Sequence, residues 1–84
     1  MIKLKWSRGT NNKKYRVQIF ENSKKLKTVQ FGDSRYEQYR DKTPLKLYSH
    51  KDHLDKKRRS SYRSRHNYKK PKYSAGWFAL KYLW

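Results

Sequence analysis

The chain has 84 residues, a formal net charge of +18 and charged side chains at 36% of its positions. Its hydrophobic fraction of 33% falls well below the roughly 45–50% of ordinary domains, so it has room for one small domain and little to bury in it. Without cysteine, disulfide staples and thiolate zinc sites are excluded; no run reaches the ~18 apolar residues of a bilayer span, and MIKLKWSRGT lacks the apolar centre of a secretory signal.

Charge and hydropathy alone would place the chain among disordered sequences, yet aromatic residues make up 17% of it, and disordered chains are poor in these. A fold this short of apolar material is expected to order within a larger assembly that supplies counter-charge and apolar surface.

In chain order, MIKLKW alternates, with Ile2, Leu4 and Trp6 on one face and Lys3 and Lys5 on the other. That is the period of a half-buried strand. SRGTNNKK is turn chemistry, since Gly9, Asn11 and Asn12 accept positive φ. YRVQIF alternates again, Tyr15, Val17 and Ile19 against Arg16, Gln18 and Phe20, and after the turn ENSKK the segment LKTVQF reads as a third strand ended by Gly32. Three short strands joined by polar turns predict an antiparallel meander over residues 2–31.

The pattern then becomes helical. Ser34 and Glu37 have capping-box spacing, with Tyr36 and Tyr39 on one face, which predicts a short helix stopped by Pro44. Ser49 offers a second cap for a helix over residues 50–66, supported by Asp52–Lys56 and Asp55–Arg59 pairs at i,i+4. Leu54, Tyr62 and the stem of Arg58 give that helix only a thin apolar stripe. Pro71 ends the pattern and Ser74 caps the last segment, SAGWFALKYLW. There Trp77, Leu80, Lys81 and Trp84 fall at helical spacing, while Phe78, Ala79, Tyr82 and Leu83 fill the other sides.

A helix apolar on all sides must be covered on all sides. A meander offering Ile2, Leu4, Val17 and Ile19 covers one of them. Trp77, Phe78, Leu80 and Trp84 are therefore candidate docking residues for a partner's apolar groove; the alternative is that they form this domain's own core.

Residues 55–72 hold nine Lys and Arg against Asp55, a local charge of +8. Lys56, Lys57, Arg58, Arg59, Arg63, Arg65, Lys69 and Lys70 are the candidate contacts to an acidic protein or to nucleic acid. Tyr62 and Tyr68, interleaved among them, suit base stacking. Basicity alone specifies only that the partner is negative, and no helix-turn-helix, zinc-finger, ribonucleoprotein or KH signature accompanies it. His50, His53 and His66 could be imagined around a metal, but Asp52 and Asp55 are better explained as helix pairs. The carboxylates are scattered and no glycine-rich loop is present, so no nucleophile, base and orienting group assemble. The expectation is a non-enzyme without metal, cofactor, small-molecule substrate or membrane.

Phe31-Gly32, then His50-Lys51-Asp52, then Tyr62, Arg65 and His66, then Ala75, Gly76 and Trp84 form a spaced set. It resembles the pattern of a family of small basic proteins of large DNA viruses and tailed phages. The resemblance covers roughly residues 28–84. It departs at Ser74, where the family has Thr, and at Trp77-Phe78, where the family more often has Phe-Trp. It implies a virus-encoded chain located in the virion. Together with the charge and the aromatic tail, it leads to the expectation of a minor or auxiliary capsid protein. Such a protein would bind the major capsid protein or other virion proteins; the alternative is a nucleic-acid-binding protein packaged with the genome. The expected fold is α+β: a single small domain over 1–84, with a meander at 2–31 and a basic, aromatic part of two or three short helices at 34–84.

Overall fold

The computed structural model describes residues 1–66 and 70–84. Strands β1 (Ile2–Arg8), β2 (Lys13–Glu21) and β3 (Lys24–Asp33) form an antiparallel sheet in the order β1-β2-β3. Helices α1 (Lys56–Arg65) and α2 (Ala75–Tyr82) follow, giving the α+β architecture expected from the sequence pattern. The β2–β3 hairpin turns through Asn22 and Ser23, at φ 50° and 71°, which is what a two-residue type I′ turn requires. Asn11 and Asn12 serve the first hairpin in the same left-handed region.

One face of the sheet carries the core. Tyr15, Val17, Ile19 and Phe31 are buried, with Leu4, Trp6 and Val29 packed beside them. Trp6 meets Tyr15, Phe31, Phe78 and Tyr82 edge-on, at centroid separations of 6.1, 5.9, 6.1 and 4.8 Å. Helix α2 closes this face: Phe78 stacks on Phe31 at 5.4 Å, and Leu83 is buried after it. Gly32 lies inside β3 rather than ending it. Its φ is +76°, and a Cβ there would come within 2.9 Å of Leu83 Cδ1, so a side chain at this position would strain the backbone and crowd Leu83 and Lys14.

Residues 34–48 form no helix, contrary to the capping-box expectation. The Asp33 carboxylate takes the local donors first: it accepts from the Arg35 backbone NH at 2.9 Å and from Arg35 Nη2 at 2.8 Å. Glu37 turns away to accept from Arg58 Nη1 at 2.9 Å. Further along, the chain is drawn into a buried polar network. Asp41 accepts from Tyr15 OH, from Thr43 Oγ1 at 2.6 Å and from the Tyr48 backbone NH at 3.0 Å. Lys14 Nζ donates to Gln38 Oε1, and Gln38 Nε2 donates to Tyr48 O at 2.8 Å and Asp52 Oδ1 at 2.6 Å. The buried side chains of this network are matched to one another, as burial away from water demands, whereas Arg16 Nε and His53 Nε2, outside it, are buried without a partner among the described residues.

The helix expected over 50–66 is likewise shorter. Ser49–Lys51 make a single 3₁₀ turn, and Leu54 adopts φ +54° and is exposed. Helix α1 starts after Asp55, whose side chain accepts from the backbone NH groups of Lys57 and Arg58. Asp52 accepts from Gln38 and from the Asp41 backbone NH at 2.7 Å, so the Asp52–Lys56 pair gives way to the network and Asp55 acts as an N-cap. Ser74 caps α2 as its sequence predicts, accepting from the Trp77 backbone NH at 3.2 Å.

Candidate nucleic-acid interface

Helix α1 buries no residue. It is attached through the end of α2. Tyr62 lies flat on Trp84, with centroids 4.2 Å apart and planes 6° from parallel, and His66 stacks on Tyr62 at 4.3 Å. Arg59 Nε and Arg63 Nη2 donate to the Trp84 main-chain oxygen at 2.8 and 2.9 Å. The Arg59 guanidinium also sits 4.7 Å from the centre of the Tyr39 ring, a cation–π contact that fixes its plane.

This attachment sorts the candidate cations. Arg59 and Arg63 hold α1 in place, and Arg58 is paired with Glu37, whose carboxyl is thereby kept below its ordinary range. Lys57 and Arg65 face a cleft of about 700 Å³ between α1, the Lys13 end of the sheet and α2. Lys56 lines a shallower groove of about 400 Å³ on the other flank, with Arg59, Ser60 and Arg63. Lys70 lies near Gly76, where an added Cβ would meet its side chain at 2.9 Å. Lys69 and Tyr68 lie outside the described residues.

The candidate docking residues divide as well. Phe78 is wholly buried in this chain's own core, which corrects its assignment to a partner: Trp6, Phe31 and Tyr82 already surround it. Trp84 is half-buried and is spent on Tyr62 and on His53, whose ring centroid is 5.3 Å away. Trp77 and Leu80 are half-buried; Trp77 packs edge-on against Tyr73 at 5.2 Å and carries Lys81 Nζ over its ring.

Several cleft residues escaped the sequence pattern. Lys13 and Lys14 sat in a stretch read as turn chemistry, and Tyr36 in a predicted helix. Lys14 is buried, and burial, then the charge of Lys51, lowers its amine to about 8. Tyr36 is 64% exposed at the cleft, and no sequence signal marked it, since it lies outside the basic run. Among the described residues, no three His, Cys, Asp or Glu are grouped to hold a metal, and no helix is long and apolar enough to cross a membrane.

No family model, curated protein or solved structure matches the chain.

Proposed function

We propose that the chain is a nucleic-acid-binding protein that reads backbone charge rather than sequence, acting within a virion as its resemblance implies. The observation that carries this reading is the contrast between the two helices. The aromatic tail sends Phe78 and Leu83 into the core, while α1 buries nothing and presents Lys56, Lys57 and Arg65 on exposed flanks. Five of the six acidic residues do little to offset them: Asp33 and Glu37 are paired with arginines, Asp41 and Asp52 sit in the polar network, and Asp55 caps α1. The sixth, Glu21, is exposed at the end of β2. A charge of +18 on so small a surface favours a dense polyanion. The role is one of binding rather than catalysis, since five of the six carboxylates are committed to structure.

Titration with oligonucleotides over a salt series tests this. If about six phosphates are engaged, log K falls against log salt with a slope near −4 to −5, and Lys57→Ala or Arg65→Ala lowers the slope by about one. Binding that is absent at low salt, or indifferent to salt, overturns the reading.

A second reading, the auxiliary capsid protein, rests on the other end of the sheet. Met1, Ile2 and Leu26 are exposed at 85%, 37% and 51%, and Met1 lines a hollow with Leu4 and Phe20, flanked by Lys3, Lys5, Asn22 and Ser23. There a shell protein could seat without touching α1. Ile2→Ser with Leu26→Ser would then abolish co-sedimentation with empty capsids and leave oligonucleotide binding intact.

A further inference from the structure

The cleft beside α1 has a composition that charge attraction alone does not need. Its floor is apolar and aromatic, made by Leu83, Ala79 and the edges of Tyr62 and Trp84. Its walls carry two carboxylates, Asp33 and Glu37, each neutralised by an arginine, Arg35 and Arg58, together with Lys13 from β2 and Lys57 and Arg65 from one face of α1. These three cations are exposed, and among the described residues none of them is paired with a carboxylate. Tyr36 stands at the rim, 64% exposed, with the Arg35 guanidinium 5.8 Å from its ring centre. Arg35 is itself held by two bonds to Asp33, from Nε at 3.0 Å and Nη2 at 2.8 Å, so the aromatic rim is braced before any ligand arrives.

We infer that this cleft takes an unpaired base, stacked on Tyr36, with the flanking phosphates on Lys13, Lys57 and Arg65; the preferred ligand is therefore single-stranded nucleic acid. The inference rests on the nucleic-acid reading above and specifies its substrate. A duplex keeps its bases stacked inside, so it can only lay phosphates along α1 and gains nothing from the ring or the apolar floor. A single strand offers π-faces that any aromatic platform can accept regardless of sequence. The volume of about 700 Å³ is within the ~300–1,000 Å³ range of sites that enclose small organic groups.

The test compares an oligothymidylate with a duplex of equal length, using the full chain and fluorescence anisotropy at one salt concentration. The native chain should favour the single strand. Tyr36→Ala should weaken single-strand binding roughly tenfold and leave duplex binding within about twofold, while Tyr36→Phe retains the preference. Lys57→Ala should weaken both ligands alike. Tyr36 is exposed, so its loss leaves the core untouched; an unchanged melting temperature and circular dichroism spectrum accompany the expected result. Equal affinity for the two ligands, or a Tyr36→Ala effect that is nil or the same on both, overturns the inference and leaves the general reading standing. Failure to bind either ligand overturns that reading itself.

Discussion

Helices α1 and α2 begin alike, each capped by a side chain that accepts backbone NH groups, Asp55 for one and Ser74 for the other. They then diverge. Helix α2 sets Phe78 into the sheet, and Leu83 follows it into the core. Helix α1 buries nothing and leans on what α2 leaves exposed at its end: the Trp84 ring and the Trp84 main-chain oxygen. Capping decides where a helix starts, whereas the side chains of its faces decide whether it becomes core or working surface. The two helices therefore form a hierarchy in which α1 depends on α2 and the reverse does not hold.

The sharpest way to break that hierarchy is at its base. Phe78→Ala should cost about 3–5 kcal/mol, a large share of the 5–10 kcal/mol or so that a domain of this size possesses. Urea denaturation should show sheet and helices lost together; a variant that stays folded with α1 alone frayed would reverse the order of dependence.

Trp84→Ala should act one level up, at about 1–2 kcal/mol, from lost stacking and burial. Helical ellipticity should fall while amide exchange in β2 stays slow. Exchange that accelerates throughout the sheet would make Trp84 a core residue on a par with Phe78.

The caps extend the comparison at about 1 kcal/mol each. Ser74→Ala should lower the midpoint of global unfolding, because α2 is part of the core. Asp55→Ala should fray the start of α1, visible as faster amide exchange at Lys57 and Arg58, and move the global midpoint much less. Equal midpoint shifts would mean that α1 unfolds with the core.

The subtlest effect places a pH response in the sheet beneath α2 instead of on α1. Burial, reinforced by the charge of Lys51, lowers Lys14 from 10.5 to about 8. Between those values the unfolded chain holds a proton that the folded one has released, so stability rises with pH. Tyr15 acts oppositely: burial, with its bond to Asp41, raises it from 10.0 to about 12. The unfolded chain ionises first in that window, and stability falls. Stability should therefore peak near pH 10. Lys14→Met should flatten the rise and spare the fall; an unaltered rise would show that other groups carry it.

How much of this was legible varies along the chain. Ile2, Leu4 and Trp6, then Tyr15, Val17 and Ile19, announce strands because a pleated strand turns alternate side chains to one face. The cap at Ser74 is equally local. Ser34 and Glu37 announced a helix that does not form, because Asp33 captures Arg35 and Arg58 draws Glu37 aside. Residues 38–52 were opaque for a related reason. Gln38, Asp41 and Asp52 find partners in Lys14, Tyr15, Tyr48 and one another across 10 to 26 positions. Of the site, the cations of α1 could be read from their density, but Lys13 and Tyr36 could not, since neither belongs to the basic run.

By itself the sequence determined the meander, the last helix with its cap, the large positive charge and the segment that carries most of it, all properties of near neighbours along the chain. Only the tertiary structure decided that Phe78 and Leu83 of the aromatic tail belong to this domain's own core. Trp6 and Phe31 open a place into which Phe78 fits, and that place exists only once the sheet has formed. The tertiary structure also decided which cations are structural and which face the cleft. That sorting follows from where Trp84 ends up, and charge density along a sequence carries no record of direction in space.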